Sequence, residues 1–306
     1  MSAHPHPRAT EFQIWGCRGS RSLVPHVSEI GNYTSCYSVL HGRELFVLDG
    51  GRGLAALGRA LTLSPRFRAV RRIHLLLSHA HMDHWEGIKD ADWFWGGNEL
   101  ELRILGTAET LGAVRTGYSH PLYVALELLA KRTVRGLSWL MLRAGERRRV
   151  AGFALRTGPL FHYSGEGRTM RMLDAIGFRL TAPDGATIAY LCDHEPRPST
   201  AAAERALLAG AHLAVYDAHF PNVRNQRHGH GSQEHAAAMA REHPGTLMLA
   251  GHHGPVFTDR QIRTAFSRHR RGTPNFDLAV EGRRYLFDAK KGRFQGHARA
   301  ASGGRR

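Results

Sequence analysis

Cysteine is scarce in this chain of 306 residues, which contains only Cys17, Cys36 and Cys192. Three cysteines cannot form a disulfide framework, and no C-x-x-C pair is present to hold a metal through thiolates. No stretch approaches about 18 uncharged apolar residues, so we expect no membrane-spanning helix. The first residues also lack the apolar segment of a secretory signal. These absences predict a reduced, cytoplasmic protein that does not enter a membrane.

Lysine is nearly absent, since only four of the 42 Lys and Arg residues are lysine. Against 26 acidic residues, these cations give a net charge of +16. The planar guanidinium group of arginine binds phosphate through paired hydrogen bonds, so nucleic acid is a candidate partner. A genomic preference for arginine codons would explain the same composition. The sequence contains no clear basic stripe with interleaved aromatic residues, and the charge alone does not select between the two explanations.

Histidine is abundant, with 21 residues against 11 aspartates. An apolar run that predicts a buried strand ends directly at an H-x-H-x-D-H string, residues 79–84. Alternate residues of an extended segment point to the same side, so His79 and His81 can bind one ion. A turn after them lets Asp83 and His84 face a second ion. Imidazoles and carboxylates are ordinary zinc ligands, whereas a loop of solvated histidines is the alternative interpretation.

Predicted strands alternate with predicted helices along the chain, which is typical of an α/β protein. Polar residues recur where predicted strands end, and such loops carry the sites of layered α/β folds. We also predict a helical insert from Tyr118 to Leu142. The later predicted strands are 187–191, 213–216 and 246–250, with one or two more between 276 and 287.

The H-x-H-x-D-H string after a core strand resembles the metallo-β-lactamase-fold hydrolases. The segments Gly16-Cys17-Arg18-Gly19-Ser20 and Asn32-Tyr33-Thr34-Ser35-Cys36 resemble the opening of the phosphodiesterase and ribonuclease Z-like branch. This resemblance covers residues 11–285 and implies an α/β, four-layer αβ/βα sandwich. We expect one hydrolase domain at residues 11–288, between a disordered N-terminus (1–10) and a basic flexible tail (289–306).

The resemblance also implies a site for two divalent metal ions, zinc in the first place and manganese as the alternative. The implied ligands are His79, His81 and His162 for the first ion, Asp83, His84 and His252 for the second, and Asp193 between them.

Several of these assignments leave alternatives open in the sequence. His162 lies beside aromatic residues and could be a half-buried core histidine. Asp193 could be a helix cap, and the neighbouring His253 competes with His252 as the last ligand. Histidine at position 81, where the redox branch of the fold has glutamate, favours hydrolysis.

The catalytic residues implied by the resemblance are Asp83 and His230. Two cations would lower the pKa of a shared water, so that a bridging hydroxide attacks the substrate. His230 would donate a proton to the leaving group, although its match to the family motif is imperfect and a flexible glycine loop is the alternative. Asp217, at a later strand end, is expected to support the site.

The leading hypothesis is a phosphodiesterase that acts on a small or cyclic phosphodiester or a nucleotide. The alternatives are a tRNA 3′-end-type endoribonuclease, and an acyl hydrolase of lactones, thioesters or β-lactams. A non-catalytic metal-binding or nucleic-acid-binding protein is the remaining rival. A homodimer is compatible with each of them. Residues 31–34 and 162–177 depart from the family pattern near the pocket mouth, which leaves the substrate open.

Overall fold

Two large β-sheets form the centre of the structure. The computed structural model describes residues 9–23, 26–95, 99–165, 167–225 and 228–297. The strands in these ranges are β1 (Glu11–Gly16), β2 (Cys36–His41), β3 (Glu44–Leu48), β4 (Arg72–Leu76), β5 (Glu101–Gly106), β6 (Gly136–Met141), β7 (Arg147–Val150), β8 (Phe153–Pro159), β9 (Tyr163–Ser164), β10 (Arg171–Met172), β11 (Ile176–Thr181), β12 (Thr187–Leu191), β13 (Leu213–Asp217), β14 (Leu247–Gly251), β15 (Phe276–Leu278), β16 (Arg284–Asp288) and β17 (Arg293–His297).

The first sheet has the strand order β17-β16-β1-β2-β3-β4-β5-β6, and the second β15-β14-β13-β12-β11-β8-β7. Strands β9 and β10 form a separate antiparallel pair. The α-helices in the described ranges are α1 (Gly53–Leu63), α2 (Ala108–Gly117), α3 (Leu126–Thr133), α4 (Ala201–Leu208), α5 (Gln233–Glu242) and α6 (Asp259–His269). The predicted α/β fold class is confirmed. None of these helices is long and apolar enough to cross a membrane.

Strands of the first sheet are apolar on both faces because each face is covered. In β3, Phe46 and Leu48 belong to the core between the sheets, whereas Leu45 and Val47 pack on the helical side. This alternation follows from the two-residue period of a strand. Helices α1, α2 and α3 pack on the first sheet, and α4 and α5 on the second. The result is the expected order of layers: helix, sheet, sheet, helix.

Parallel strand pairs bring several strand ends to one edge of the sandwich. β3 and β4 are parallel neighbours in the first sheet, and β12, β13 and β14 are parallel neighbours in the second. The carboxyl ends of parallel strands meet at one sheet edge, where α/β proteins place their sites. Polar residues that follow these five strands therefore converge although they are distant in sequence.

One prediction about organisation needs correction, and the structure shows ordered residues on either side of the predicted domain bounds. The predicted helical insert contains strand β6, which pairs in parallel with β5 at the edge of the first sheet. The predicted domain end at residue 288 falls between paired strands, because β17 continues the sheet beside β16. At the other end, Thr10 is buried and its backbone N–H donates to Asp184 Oδ2 at 2.8 Å. Residues 1–8 and 298–306 lie outside the described residues.

A pair of glycines allows helix α4 to lie directly on the second sheet. Gly158 of β8 and Gly177 of β11 are opposite each other in the ladder. A Cβ at Gly177 would lie 2.8 Å from Leu207 Cδ1 and 3.0 Å from the Tyr190 carbonyl oxygen. Any larger side chain would therefore push the helix away from the strands.

We expect Gly177→Ala to destabilise the protein by about 1–3 kcal/mol, because the added methyl overpacks this contact. Gly112 is a matched control, since it is exposed in helix α2 and a Cβ there would meet nothing within 4 Å. Gly112→Ala should stabilise the protein by about 0.5–1 kcal/mol through helix propensity. Chemical denaturation measures both changes, and equal effects of the two substitutions would contradict this account of the packing.

Candidate metal centre

The H-x-H-x-D-H string follows β4 and turns through a short 3-10 helix at Met82–His84. This turn separates the string into two parts, as the spacing predicted. Ligand atoms of His79 and His81 lie with those of His162 and Asp193 within 4.8 Å of one another. His162 Nε2 is 3.0 Å from His81 Nδ1. The first predicted ligand group is thus assembled from three separate segments of the chain.

The second group consists of Asp83, His84 and His252, whose ligand atoms also lie within 4.8 Å of one another. Asp193 faces both groups. Its Oδ1 is 3.1 Å from His84 Nε2 and 2.9 Å from His252 Nε2. Its Oδ2 is 3.4 Å from His162 Nε2 and 3.6 Å from the Nε2 atom of the first histidine of the string. One carboxylate therefore connects the two groups, as the predicted bridging position requires.

Several atoms in this cluster are buried without a hydrogen bond of good geometry among the described residues, although Asp193 Oδ1 lies close to two imidazoles: Nε2 of His79, His84 and His252, and Oδ1 of Asp193. A buried polar atom without a partner is costly, so its presence needs an explanation. A divalent cation at each ligand group provides one, because imidazole nitrogens and carboxylate oxygens are ordinary ligands of such ions. The donor set of imidazoles and carboxylates fits such an ion.

Asp49 lies behind the H-x-H-x-D-H string and holds it through hydrogen bonds. The sequence analysis assigned no role to this residue. It follows β3 and is fully buried. Its Oδ2 is 2.7 Å from His84 Nδ1 and accepts hydrogen bonds from Ser78 Oγ at 2.8 Å and the Tyr190 hydroxyl at 2.6 Å. The bond to Nδ1 leaves Nε2 of that imidazole free for a metal. Tyr190 belongs to the other sheet, so this carboxylate also connects the two sheets.

His162 and His79 are oriented in the same way by groups behind them. His162 Nδ1 is 2.8 Å from the Gly229 carbonyl oxygen, and His79 Nδ1 is 3.0 Å from Ser78 Oγ. In both rings the bonded Nδ1 leaves Nε2 facing the cluster, which is the arrangement typical of metal-ligating histidine.

The two adjacent histidines after β14 point in different directions. His252 faces Asp193, whereas His253 is buried with Nε2 3.0 Å from the Ala279 carbonyl oxygen. Burial lowers the pKa of His253 to about 3, so it is a neutral core residue. The geometry therefore favours the first histidine of the pair as the ligand.

His230 lies at the edge of the cluster with a carboxylate behind it. Its Nδ1 is 3.1 Å from Asp217 Oδ2, and Asp217 in turn accepts backbone hydrogen bonds from His194 and His219 at 2.9 Å each. The His219 ring stacks on the His230 ring with centroids 4.2 Å apart. Sequence reasoning missed His219, although its position just after a strand end was the available signal.

Left-handed backbone conformations are concentrated around this site. Asp49, Asp193 and His252 have φ values of 58°, 54° and 55°. Residues other than glycine rarely adopt such angles, and the strain persists only where surrounding contacts hold it. All three residues follow strand ends, where this sharp turn directs their side chains into the cluster.

The histidines of the cluster fall into two classes according to the direction in which their pKa values are shifted. Burial lowers the pKa of His79 and His81, and that of His162 to about 4, so these rings are neutral. Burial acts in the same direction on His84 and His252, but nearby carboxylates outweigh it and raise their pKa values well above the ordinary range. Burial opposes ionisation of Asp193, yet the imidazoles around it hold its pKa well below the usual value.

The site opens into a cleft of about 290 Å³, which contains the edge of both ligand groups and the loops around them. Ser20 closes one side, and its backbone N–H donates to Asp83 Oδ2 at 2.9 Å. The lining residues are Ser20, His81, Asp83, His162, Tyr163, Ser164, Gly165, Asp193, His228 and His230.

Comparison with known proteins identifies the family. The β-lactamase superfamily domain matches residues 46–253, and the chain belongs to this family. A ribonuclease Z of Salinibacter ruber is 30% identical in an alignment 138 residues long, which covers 38% of this chain and 39% of that protein. The matched part of the chain thus spans about two fifths of the length of this relative.

Solved structures share the whole fold at low sequence identity. The metallo-β-lactamase fold protein YhfI of Bacillus subtilis has a TM-score of 0.64 and 17% identity, covering 92% of this chain and 100% of that one. A diphosphatase of the PhnP family has a TM-score of 0.60 and 15% identity, covering 91% and 98%. The predicted metallo-β-lactamase-like fold is confirmed. This fold implies a metal-dependent hydrolase that binds divalent metal.

We expect Asp49→Asn to weaken zinc binding by about 10- to 100-fold, because the amide no longer accepts all the hydrogen bonds that orient the ligand string. Competition with a chelating indicator measures the affinity. Asp277→Asn is the control, since that carboxylate is paired with Arg283 at the surface. Equal zinc affinity in the two variants would exclude a positioning role for Asp49.

Metal binding at pH 7 should release protons. His84 and His252 have raised pKa values and are protonated without metal, whereas a metal ligand must be the neutral imidazole. His79 and His162 are already neutral and contribute nothing. Calorimetric titration with zinc in two buffers of different ionisation enthalpy should give different heats, equivalent to about one or two protons. Heats independent of the buffer would contradict the assigned protonation states.

Proposed function

We propose that the protein is a two-metal phosphodiesterase that acts on a small or cyclic phosphodiester. One observation carries the proposal: two groups of buried ligand atoms share Asp193 at the base of a cleft, and His230 lies beside them with Asp217 behind it. Paired metals with an adjacent proton donor suit the in-line displacement of an alkoxide from phosphorus.

In this proposal the seven predicted ligands hold the two ions. His79, His81 and His162 would bind the first, Asp83, His84 and His252 the second, and Asp193 both.

Zinc suits a set of nitrogen and oxygen donors, and manganese is the alternative. The cysteines do not contribute, because all three are buried and burial raises their pKa values. The absence of thiolates favours a catalytic site over a structural one.

Bound divalent cations would lower the pKa of water and neutralise charge that develops on the phosphate oxygens. The chain's own residues orient the ligands and limit access. Asp193 is ionised and has both oxygens directed at the ligand groups. Asp83 is fixed through its Oδ2 by the backbone N–H of Ser20, which ties the opening loop to the string.

His230 would donate the proton that a leaving alkoxide needs. Its Nδ1 is held by Asp217 Oδ2, so Nε2 is the ring nitrogen available to the cleft. The carboxylate fixes the orientation of the ring. Stacking against His219 restricts the ring further. Asp217 and His219 are positioning residues in this scheme.

Phosphate esters are favoured over carboxylic substrates by two relatives. The identity of 30% to a ribonuclease Z, although partial in length, supports phosphodiester cleavage. The shared fold with a diphosphatase is consistent with it. RNA is the second candidate substrate on the same grounds, and a lactone, thioester or β-lactam would be hydrolysed on the same metals if the phosphodiester proposal fails.

The wild-type protein with Zn²⁺ or Mn²⁺ should hydrolyse bis(p-nitrophenyl) phosphate, and Asp83→Ala should abolish turnover because the second ligand group loses its carboxylate. The rate of p-nitrophenolate release measures both. If zinc binds but this ester and an alkyl phosphodiester are both stable, the phosphodiesterase proposal is wrong, and lactone or thioester substrates become the next assay.

Replacing the proposed proton donor should have an effect that depends on the leaving group. His230→Gln should slow hydrolysis of an alkyl phosphodiester by about 10²- to 10⁴-fold, but affect release of p-nitrophenolate much less, because that group leaves without a proton. His120→Gln, at an exposed histidine, is the matched control. Equal losses on both esters would assign His230 to metal or substrate binding instead.

A further inference from the structure

Strand register assembles a row of arginines that the sequence does not reveal. Arg147 of β7 lies opposite Arg156 of β8, which lies opposite Arg179 of β11. Directly opposite residues of antiparallel strands project from the same face. Arg149, two residues along β7, shares that face with the row. We call these four residues the arginine face.

The arginine face begins where helix α4 ends. Gly158 and Gly177 lie two positions farther along the same strands and are covered by the helix. Arg179 donates to the carbonyl oxygens of Leu207 and Ala209 at the helix end. Beyond this point a groove of about 460 Å³ lies over the strands. Its lining residues are Arg147, Arg148, Arg149, Ala154, Leu155, Arg156, Arg179 and Thr181.

Most of the positive charge in this groove has no acidic partner among the residues that the structure describes. Arg148 projects from the opposite face and pairs with Glu146 at 2.5 Å. Among the described residues, no carboxylate lies within ion-pair distance of Arg147, Arg149 or Arg156. Burial lowers the pKa of Arg179, and the adjacent Arg156 lowers it further. Like charges directly opposite one another destabilise a sheet, so this arrangement costs the protein stability unless an anion lies over it.

We propose that the arginine face binds the phosphate backbone of an RNA strand whose scissile phosphodiester lies in the metal cleft. The proposal rests on the proposed phosphodiesterase chemistry and selects RNA, the second candidate substrate named above, over a small or cyclic ester.

Two features of the face favour a polyanionic chain over a single phosphate. Arginine forks bind phosphate oxygens in pairs, and a row across three strands, about 4.8 Å apart, presents several forks in one line. Arg156 precedes the proposed ligand His162 by six residues, so their Cα atoms are at most roughly 20 Å apart. A strand of several nucleotides is long enough to span this distance, whereas a small ester is not.

The test compares two triple variants that lose the same net charge. Arg147→Gln/Arg149→Gln/Arg156→Gln removes three cations of the face and leaves Arg179, which holds the helix end. Arg132→Gln/Arg241→Gln/Arg271→Gln removes three exposed arginines outside the groove. Both are made in the wild type for kinetics and in the Asp83→Ala background for binding, so that RNA is not cut. Anisotropy of a fluorescein-labelled 20-nucleotide poly(U) gives Kd across a range of salt concentrations.

We expect the face variant to weaken RNA binding at least about tenfold and to reduce the slope of log K against log salt by about two. The control variant should change Kd by less than about threefold. Turnover of bis(p-nitrophenyl) phosphate should be the same in both, because this ester occupies only the metal cleft. Circular dichroism establishes that both variants are folded.

The two proposals fail in different ways. Equal loss of RNA affinity in the two variants would show that net charge steers RNA without a docking site and would overturn the inference. Unchanged RNA binding in the face variant would also overturn it, even if binding to anionic phosphatidylserine vesicles fell. Absence of phosphodiester turnover in the wild type would instead contradict the proposed function, whatever the RNA affinity.

Discussion

The structure depends on burying carboxylates among imidazoles where the two sheets meet. Asp49 and Asp193 are almost completely inaccessible to water, and a buried charge is tolerated only when opposite charge or hydrogen-bond donors surround it. Those partners come from both sheets: the Tyr190 hydroxyl of one sheet donates to Asp49 of the other. The Ile176 backbone N–H also donates to the Ser78 carbonyl oxygen. Because the buried carboxylates need hydrogen-bond partners from both sheets, the site forms only when the two sheets pack together.

The same requirement explains why strained backbone is concentrated here. The residues after a strand would normally continue the extended path, but Asp49, Asp193 and His252 turn into left-handed conformations one or two residues after their strands end. The strands beside these turns hold them in this conformation. The candidate ligands Asp193 and His252 are therefore held in place by the backbone around them. His230 lies on a loop and does not follow a strand end. The Asp217 carboxylate and the stacked His219 ring hold it in position instead.

Much of the fold and part of the site were predictable from the sequence, because they depend on residues that are close together along the chain. The string 79–84 could be interpreted locally, because two-residue spacing and one turn decide which ligands face together. Strand β13 was predictable, since residues 213–216 are a continuous apolar run that is buried on both faces. The segment Gly136–Met141 was wrongly predicted as helical because it is a half-buried edge strand, and only pairing with β5 makes it extended. Asp49 and His219 were missed, since their roles depend on partners from other strands.

By itself, the sequence determined the class of fold, and it pointed to the H-x-H-x-D-H string and to nitrogen and oxygen donors rather than thiolates as the candidate ligands. Those properties depend on residue type and on neighbours within a few positions. Tertiary structure alone decided that Asp193 faces both ligand groups, that His252 faces inward while His253 faces the core, and that three arginines from separate strands form one row. These outcomes depend on strand register and on how two sheets dock. A shift of one residue in register would reverse which side chains share a face, and no local pattern encodes it.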